Sequence, residues 1–358
     1  MRRIPADSLV PGMITAEDVF SYDNQLILPK GLTLTDKAIT KLAYYSIFSI
    51  KVEDELSTAF TSSVDDDRSY YERVKSSQEF LQFKKEYSSA VEDFQDRIND
   101  MVHQNRPFNV EAMMTPALKT LFEKDNHVNV LDMLHNMRDY DDATYMHCMN
   151  VALICNIFAR WLNLSREEIH VSTLCGLMHD IGKIQIPDAI IKKPAKLTDK
   201  EYNIIKTHPI EGYNLVRNTD LNTHIKNAIL MHHERNDGSG YPLGLIGERI
   251  DPYAQIVSIA DVYDAMTSAR VYRGPLCPFA VIGLFEDEGF QKYNPQFILT
   301  FLENVVNTYL LNRVRLSNGL VGEVVYIDKD HLSRPTIKSG SRYLDLSSTP
   351  ELRIEAII

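Results

Sequence analysis

The sequence predicts a mainly α-helical protein, in which a long helical region lies between a small α/β unit and a short β-rich extension. Apolar residues recur at helical spacing through most of residues 109–312. Short apolar runs separated by Gly, Pro and Asn occur near both ends of the chain. Such runs are typical of strands joined by turns, so the sheets are expected at the two ends.

The first 56 residues are expected to form the small α/β N-terminal region. Strands are expected at Val19–Phe20, Gln25–Leu28 and Ser49–Val52. A helix is expected from Thr35 to Tyr45, with Thr35 as its N-cap. Residues 57–69 are polar and contain three consecutive Asp residues, so this segment is interpreted as a linker with a solvated charge run.

Residues 70–108 are expected to form one long amphipathic helix. Within Tyr70–Val102, Val91, Phe94, Ile98 and Met101 recur at helical spacing. Their apolar face is expected to pack on the helical region of the same chain. Pairing with a second copy, which would make a homodimer, is the alternative.

The helical region, residues 109–312, contains recognisable helix starts. Ser165 and Thr198 are each followed three residues later by Glu, which predicts a capping box. Pro252 suits the first turn of a helix that continues through Ala254 to Ser268. After it, residues 313–358 form the β-rich C-terminal extension. Its strands are expected at Val314–Leu316, Gly322–Ile327 and Leu352–Ile357.

Charge and cysteine content exclude some classes of function. The net charge of −11 disfavours binding to a nucleic-acid polymer, which needs a broad basic surface. The most apolar run, Val151–Leu162, is interrupted by Asn156 and Arg160, so no membrane span is predicted. The N-terminus has no apolar signal segment behind its two Arg residues. The four cysteines form no CxxC pair, which favours reduced thiols and a cytoplasmic location.

Seven His and Asp residues between positions 147 and 261 carry the chemistry that the sequence predicts. They are His147, His179, Asp180, His208, His232, His233 and Asp261. His179-Asp180 and His232-His233 are adjacent pairs at expected helix ends, and Asp261 lies in an apolar helical stretch. An ionised Asp in such a stretch is costly unless a cation neutralises it. Any one of these residues could be a satisfied core residue, so their joint spacing carries the prediction.

This residue set indicates a metal site rather than a set of core residues. Neighbouring helix positions point about 100 degrees apart, whereas at a helix end both side chains of a pair can reach nearby ions. Imidazole with carboxylate suits Fe, Mn, Zn or Ni and argues against Mg. One carboxylate can bridge two divalent ions, and such a centre activates hydroxide and holds a phosphate. A dinuclear hydrolase with an anionic substrate is therefore expected.

Four further residues are candidates for substrate contact. Lys183 follows the His179-Asp180 pair and could stabilise charge on a phosphate or leaving oxygen, or be a solvated helix-end cation. Tyr241, within the Gly-Tyr-Pro segment after His232-His233, could stack on a ligand or merely belong to a turn. Arg270 and Arg273 offer bidentate donors to phosphate or a guanine edge, or pair with surface acids.

Residues 142–302 resemble the HD-GYP family, a branch of the HD phosphohydrolases. The matching motifs are His147, Leu177–Pro187, Lys193-Pro194, Lys196–Thr198, His208-Pro209, His232–Arg235, Asp237–Pro242, Ile259–Ala265 and Tyr272-Arg273. They are long and occur in the family's order. The end segments also resemble regions that accompany this domain in bacterial proteins.

The resemblance implies an all-helical domain that hydrolyses cyclic di-GMP to linear pGpG, sometimes cut further to GMP. It implies a centre of two or three metal ions, most often Fe or Mn, with Ni, Zn or Co as alternatives. The seven residues above carry over as metal ligands, with Asp180 as the bridging carboxylate. Lys183 carries over as assisting the chemistry, and Tyr241, Arg270 and Arg273 as contacts to the dinucleotide.

The sequence departs from the family pattern at four positions. Ala143 stands where family members with a third metal have Glu, which favours two metals. Cys148, Ala195 and Val271 replace the usual Ser, Gly and Pro, but none removes a ligand.

Cyclic GMP-AMP is an alternative substrate, and a non-catalytic cyclic-dinucleotide receptor is an alternative function. A nucleotide triphosphohydrolase is disfavoured, because plain HD enzymes lack the second His pair and the Gly-Tyr-Pro segment.

Overall fold

The computed structural model contains a helical region flanked by small antiparallel sheets, which confirms the predicted fold class. It describes residues 2–10, 12–20, 26–32, 34, 38–39, 42, 47, 49–53, 74–103, 130–137, 144–193, 195–268 and 275–358. The linker predicted at 57–69 lies outside these residues. Of the helix predicted from Thr35 to Tyr45, only Ala38, Ile39 and Leu42 are described, and all three are helical.

The N-terminal strands form two separate two-stranded sheets. Strand β1 (Arg2–Pro5), which the sequence analysis did not predict, pairs antiparallel with β4 (Ser49–Val52). Strand β2 (Val19–Phe20) pairs with β3 (Leu26–Leu28). These strands bury a small core of their own, which includes Ile4, Val19, Ile27, Leu28, Leu34, Leu42, Ile50 and Val52.

The long amphipathic helix α1 spans Gln78–His103, later in its start than the predicted Tyr70. Its buried residues are Phe80, Phe83, Tyr87, Ala90, Phe94 and Ile98. They are spaced three or four positions apart, so they lie on one face of the helix. This face belongs to the same hydrophobic core as the helices that follow, as the sequence analysis expected.

The remaining helices surround a core centred on two helices with almost entirely apolar buried residues. The helices are α2 (Val130–Asn136), α3 (Thr144–Trp161), α4 (Arg166–Met178), α5 (Asp188–Ile191), α6 (Asp199–Ile205), α7 (His208–Val216), α8 (Thr223–Met231), α9 (Pro252–Thr267), α10 (Pro278–Lys292) and α11 (Pro295–Thr308). Helix α3 is buried continuously from Val151 to Ala159, and α9 from Ile256 to Asp261. A helix that is apolar on all sides must lie inside the protein.

The C-terminal strands form a five-stranded antiparallel sheet. They are β5 (Arg313–Leu316), β6 (Val321–Asp328), β7 (His331–Ser339), β8 (Arg342–Asp345) and β9 (Ile354–Ile357), in the order β8-β7-β6-β5-β9. The three predicted strands correspond to β5, β6 and β9, and β7 and β8 were not predicted. Glu286 of α10 accepts hydrogen bonds from the backbone of Leu332 and Ser333, which fastens this sheet to the helical core.

Two predicted capping boxes are confirmed, and they position the helices that carry the candidate site. The Ser165 hydroxyl accepts from the backbone N–H of Glu168, whose carboxylate accepts in return from Ser165. Thr198 and Glu201 form the same pair at the start of α6. No helix among the described residues is long and apolar enough to cross a membrane.

Candidate metal centre

The seven predicted ligand candidates lie together where five helices meet. His147 is in α3, His179 and Asp180 follow α4, His208 begins α7, His232 and His233 follow α8, and Asp261 is in α9. All except His233 are buried, and the side chain of His233 is 18% exposed. The structure therefore collects residues that are up to 114 positions apart in the chain.

The chain turns sharply after α4, and this turn sets Asp180 beside His208. Gly182 lies within the turn, where a Cβ atom would stand 1.9 Å from the carbonyl oxygen of His208 and 2.5 Å from the backbone nitrogen of Gly212. A side chain at position 182 would thus collide with the backbone of α7. The glycine permits the close approach that brings the first residue of α7 to Asp180.

The two carboxylate oxygens of Asp180 face two different groups of histidines. Oδ2 lies 3.2 Å from His179 Nε2 and 3.7 Å from His147 Nε2. Oδ1 lies 3.2 Å from His208 Nε2 and 3.8 Å from His232 Nε2. Asp180 also belongs to two clusters of candidate donor atoms, one with His147 and His179 and one with His208, His232 and His233. This is the arrangement expected of a carboxylate shared by two cations.

Main-chain carbonyl groups orient three of the histidine rings. His179 Nδ1 lies 2.7 Å from the carbonyl oxygen of Gly176, and His208 Nδ1 lies 2.7 Å from that of Ile205. His232 Nδ1 lies 3.0 Å from the carbonyl of Ile229. A carbonyl only accepts hydrogen bonds, so each Nδ1 carries the proton and donates it. In the neutral ring Nε2 then presents a lone pair toward Asp180.

These lone pairs and carboxylate oxygens fit divalent cations. His208 Nε2 and His232 Nε2 are 3.1 Å apart, although both rings already use their Nδ1 proton on a carbonyl. Among the described residues, Asp180 Oδ1 and His179 Nε2 have no hydrogen-bond partner, whereas Asp180 Oδ2 has the Lys183 ammonium beside it. Buried polar atoms without partners are costly, and a cation between them would satisfy all of them. Mixed imidazole and carboxylate donors suit Fe, Mn, Zn, Co or Ni.

Side chains, rather than main-chain groups, orient His147. Its Nδ1 lies 2.7 Å from Asp264 Oδ2, and its Nε2 lies 3.0 Å from Asp261 Oδ1. Burial opposes a charged ring, but hydrogen bonds to the two carboxylates outweigh it and raise the pKa of His147 to about 10. The second carboxylate oxygen of Asp261 lies 3.8 Å from His233 Nδ1, so Asp261 connects these two histidines.

The other pKa shifts leave the cluster rich in unprotonated donors. Burial disfavours the charged form of Asp180, yet the nearby Lys183 and His179 hold the pKa of its carboxyl well below the usual range. The pKa of Asp261 is also lowered, because the hydrogen bond to His147 outweighs burial. Burial, with neighbouring histidines, lowers the pKa of His232 well below its usual value and that of His233 to about 3.

Lys183 and Tyr241, two of the four predicted substrate contacts, both lie at the cluster. Lys183 Nζ is 2.5 Å from Asp180 Oδ2. The Tyr241 ring stacks on the His233 ring with centroids 4.6 Å apart. Arg270 and Arg273, the other two predicted substrate contacts, lie outside the described residues, as do Asp142 and Ala143.

Three residues at the site were missed by the sequence analysis as functional candidates. Asp264 orients His147, and its position three residues after Asp261 on one helix face was the available signal. Glu234 is buried and accepts from the backbone N–H groups of Leu243 and Leu245, at 2.7 and 2.9 Å, which holds the loop that contains Tyr241. Lys206 places Nζ 4.7 Å from the centroid of the Tyr241 ring.

Comparison with known proteins agrees with this geometry. Residues 125–296 match the family model of the HD domain. All seven His and Asp residues of the cluster lie within the matched residues.

Several bacterial phosphodiesterases are similar in sequence to about half or more of the chain. A cyclic di-GMP phosphodiesterase from Pseudomonas aeruginosa is 36% identical over 240 residues, which cover 64% of this chain and 58% of that protein. The response regulator RpfG from Xanthomonas campestris pv. campestris, a cyclic di-GMP phosphodiesterase, is 37% identical over 174 residues, 48% of this chain and 45% of that protein. A 3'3'-cGAMP-specific phosphodiesterase from Vibrio cholerae is 34% identical over 185 residues, 50% of this chain and 43% of that protein. The matches thus span less than two thirds of each relative.

One solved structure resembles most of the chain in fold. It is an HDG"Y"P protein from Bdellovibrio bacteriovorus, with a TM-score of 0.50 and 18% sequence identity. The match covers 85% of this chain and 99% of that chain. At this identity the likeness concerns the fold alone, and it extends beyond the HD domain into the flanking regions.

Proposed function

We propose that this protein is a metal-dependent phosphodiesterase that hydrolyses cyclic di-GMP to linear pGpG. The observation that carries the proposal is the position of Asp180, whose two oxygens face two separate groups of histidine nitrogens. Relatives named as cyclic di-GMP phosphodiesterases support the choice of substrate. The predicted domain boundaries at 56, 69, 108 and 312 are part of this proposal.

The proposed centre holds two divalent cations, Fe or Mn, through the seven His and Asp residues. When bound, such ions lower the pKa of a water molecule and offset the negative charge of a phosphodiester. Asp180 is proposed to bind both ions. The replacement of Glu by Ala at position 143 supports two ions rather than three.

Residues of the chain are proposed to hold the substrate and its charge. Lys183 offers a partly exposed ammonium beside Asp180, where it can stabilise charge on the phosphate or on the leaving oxygen. The ring of Tyr241, with Lys206 above it, offers a face on which a guanine base can stack. Arg270 and Arg273 are proposed as further dinucleotide contacts on the strength of the sequence motif.

A cytoplasmic location is part of the proposal. Its support is that Cys148, Cys155 and Cys175 are buried free thiols. Proteins that function in oxidising compartments more often pair their cysteines.

The test is to incubate Mn- or Fe-loaded protein, kept reduced, with cyclic di-GMP and to identify the products by chromatography and mass spectrometry. Formation of pGpG is expected, with none from protein treated with a chelator. Intact substrate after long incubation with metal-replete protein would disprove the proposal. Tight binding without turnover would instead support the receptor alternative.

Cyclic GMP-AMP is a second candidate substrate. The specific observation in its favour is the 34% identity to a Vibrio cholerae phosphodiesterase named for 3'3'-cGAMP. The same assay, run with both dinucleotides, decides between them through the ratio of their kcat/KM values. We expect kcat/KM for cyclic di-GMP to exceed that for cyclic GMP-AMP by a ratio above about 10. This ratio corresponds to about 1.4 kcal/mol of differential transition-state binding.

A further inference from the structure

A chain of hydrogen bonds, buried at His147 and partly buried at Asn150, joins helix α1 to the metal-ligand candidate His147. The Tyr87 hydroxyl of α1 lies 2.6 Å from Asn150 Oδ1. The Asn150 side-chain amide donates in turn to Asp264 Oδ1 at 3.1 Å. The other oxygen of Asp264 accepts the proton of His147 Nδ1 at 2.7 Å. Three successive hydrogen bonds therefore connect a helix outside the ligand set to one of the ligands.

Tyr87 and Asp264 together favour one orientation of the Asn150 amide. The Tyr87 hydroxyl lies 2.6 Å from Asn150 Oδ1 and 3.1 Å from the carbonyl oxygen of Met146. The shorter contact, to Oδ1, leaves the amide nitrogen of Asn150 facing Asp264. If the amide were reversed, its oxygen would face the Asp264 carboxylate and its nitrogen would face the Tyr87 hydroxyl. Asp264 Oδ1 also accepts from the Ser268 hydroxyl at 3.1 Å, so a reversed amide would remove one of two donors and would place two acceptors side by side.

The environment of these residues makes the chain rigid. Tyr87 is 1% exposed and Asp264 is 3% exposed, and Asn150 between them is partly buried, so the access of water to a lost partner is restricted. In a buried network, hydrogen bonds are stronger than at the surface, and a partner left unsatisfied is costly. The Tyr87 ring also packs in the hydrophobic core beside Phe83, which fixes the position of the hydroxyl relative to α3.

We propose that Tyr87 is a positioning residue for the metal centre. Acting through Asn150 and Asp264, it holds the His147 ring in the orientation that directs Nε2 at Asp180 and Asp261. Helix α1 then contributes to metal affinity without supplying a ligand, and a displacement of α1 weakens the metal site. The inference rests on the metal centre of the proposed function, but it does not depend on the substrate.

The test compares Tyr87→Phe with a matched control on the same helix interface. Tyr87→Phe removes the hydroxyl and keeps the packed ring. Tyr145→Phe also removes one hydroxyl, which donates from α3 to Asn99 of α1 at 3.3 Å, but this bond does not lead to His147. The measurement is the Mn²⁺ affinity of the full chain, obtained by competition with a chromogenic chelator, with thermal unfolding recorded for each variant.

Tyr87→Phe is expected to lower Mn²⁺ affinity about tenfold, the lower end of the loss typical when a residue that orients a metal ligand is removed. Tyr145→Phe is expected to leave the affinity within about twofold of wild type. Equal affinities in wild type and Tyr87→Phe, or equal losses in both variants, would overturn the inference. A general loss of packing would lower the unfolding temperature without a selective loss of Mn²⁺ affinity.

Asn150→Ala provides a second test that leaves Tyr87 in place. This variant interrupts the same chain at its next link, and its Mn²⁺ affinity is expected to fall at least as far. Adding Tyr87→Phe to it should cause no further loss, whereas independent effects would add. If wild type binds Mn²⁺ but cleaves neither dinucleotide, the proposed function fails while these comparisons still decide the inference.

Discussion

The histidines of the candidate metal centre form two sets, called its halves below, according to the chemical group that holds each ring in place. On one side, His179, His208 and His232 each donate Nδ1–H to a main-chain carbonyl within four residues along the chain. On the other side, His147 donates to the carboxylate of Asp264, which comes from a different helix 117 residues later. The first half is oriented by local backbone, and the second half by a long-range side-chain network.

This difference determines how each half responds to change. A main-chain carbonyl persists whatever side chain its residue carries, so the three-histidine half is protected from most single substitutions. The His147 half depends on Asp264, Asn150 and Tyr87, and each of these can be altered. The second half is therefore the part of the centre whose geometry and affinity are open to tuning.

Replacing the residue shared by both halves is expected to have the largest effect. Asp180→Ala removes the oxygens that face both groups of histidines, so both metal ions and at least about 1,000-fold in kcat should be lost together. Metal analysis and the cyclic di-GMP assay measure the two losses. The control is Asp188→Ala, which removes an exposed carboxylate that contacts Lys192. Wild-type metal content in Asp180→Ala would contradict a shared ligand.

The next prediction tests the contrast between the halves directly. Asp264→Ala removes the acceptor of His147 Nδ1 and should lower metal affinity by about 10- to 100-fold. Ile205→Ala alters the residue that supplies the carbonyl to His208 but keeps that carbonyl, so the affinity should change by less than about threefold. Chelator competition with Mn²⁺ measures both variants. Similar losses of Mn²⁺ affinity in Asp264→Ala and Ile205→Ala would mean that the His147 half does not depend on side chains more than the three-histidine half does.

The contrast also accounts for which parts of the site were predictable from sequence. The seven ligand candidates were found because adjacent His-Asp and His-His pairs at helix ends are unusual, and because the family motifs match. The main-chain carbonyls that orient three of these histidines follow once the helices are placed. Tyr87 and Asn150 gave no such signal, because a Tyr on an apolar helix face and an Asn in a helix are common in proteins far from any functional site.

The fold shows the same division between local and long-range information. Capping boxes at Ser165 and Thr198 and the helix from Pro252 were predicted because they depend on residues a few positions apart. Strands β1, β7 and β8 were missed, because their pairing depends on partners that sequence patterns do not name. In β7, for example, Arg334 and Pro335 interrupt the apolar alternation, yet Ile337 is buried opposite Val324 of β6.

A smaller effect is expected at the rim of the site, which belongs to neither half. Glu234 accepts from the backbone of Leu243 and Leu245, and Glu234→Gln turns one of these acceptors into a donor. The Tyr241 loop should then be less well held, and KM should rise about tenfold, as expected from the loss of one hydrogen bond to a charged group. Metal content should stay at the wild-type value. Glu248→Gln, at an exposed position nearby, is the control, and a loss of metal in Glu234→Gln would contradict a role limited to the loop.

The smallest effect is expected for the hydroxyl of Tyr241. His233 lacks the backbone acceptor of the three-histidine half and the Asp264 contact of His147, and its ring is instead covered by the ring of Tyr241. Tyr241→Phe keeps this stacking, so KM should change by less than about threefold. Tyr241→Ala removes the ring that is proposed to stack on a guanine base and should raise KM about tenfold, since aromatic stacking on a base is worth about 1–3 kcal/mol. Steady-state kinetics with cyclic di-GMP separate the two variants. An equal rise of KM in both variants would assign the contribution of Tyr241 to substrate binding to its hydroxyl hydrogen bond rather than to its ring.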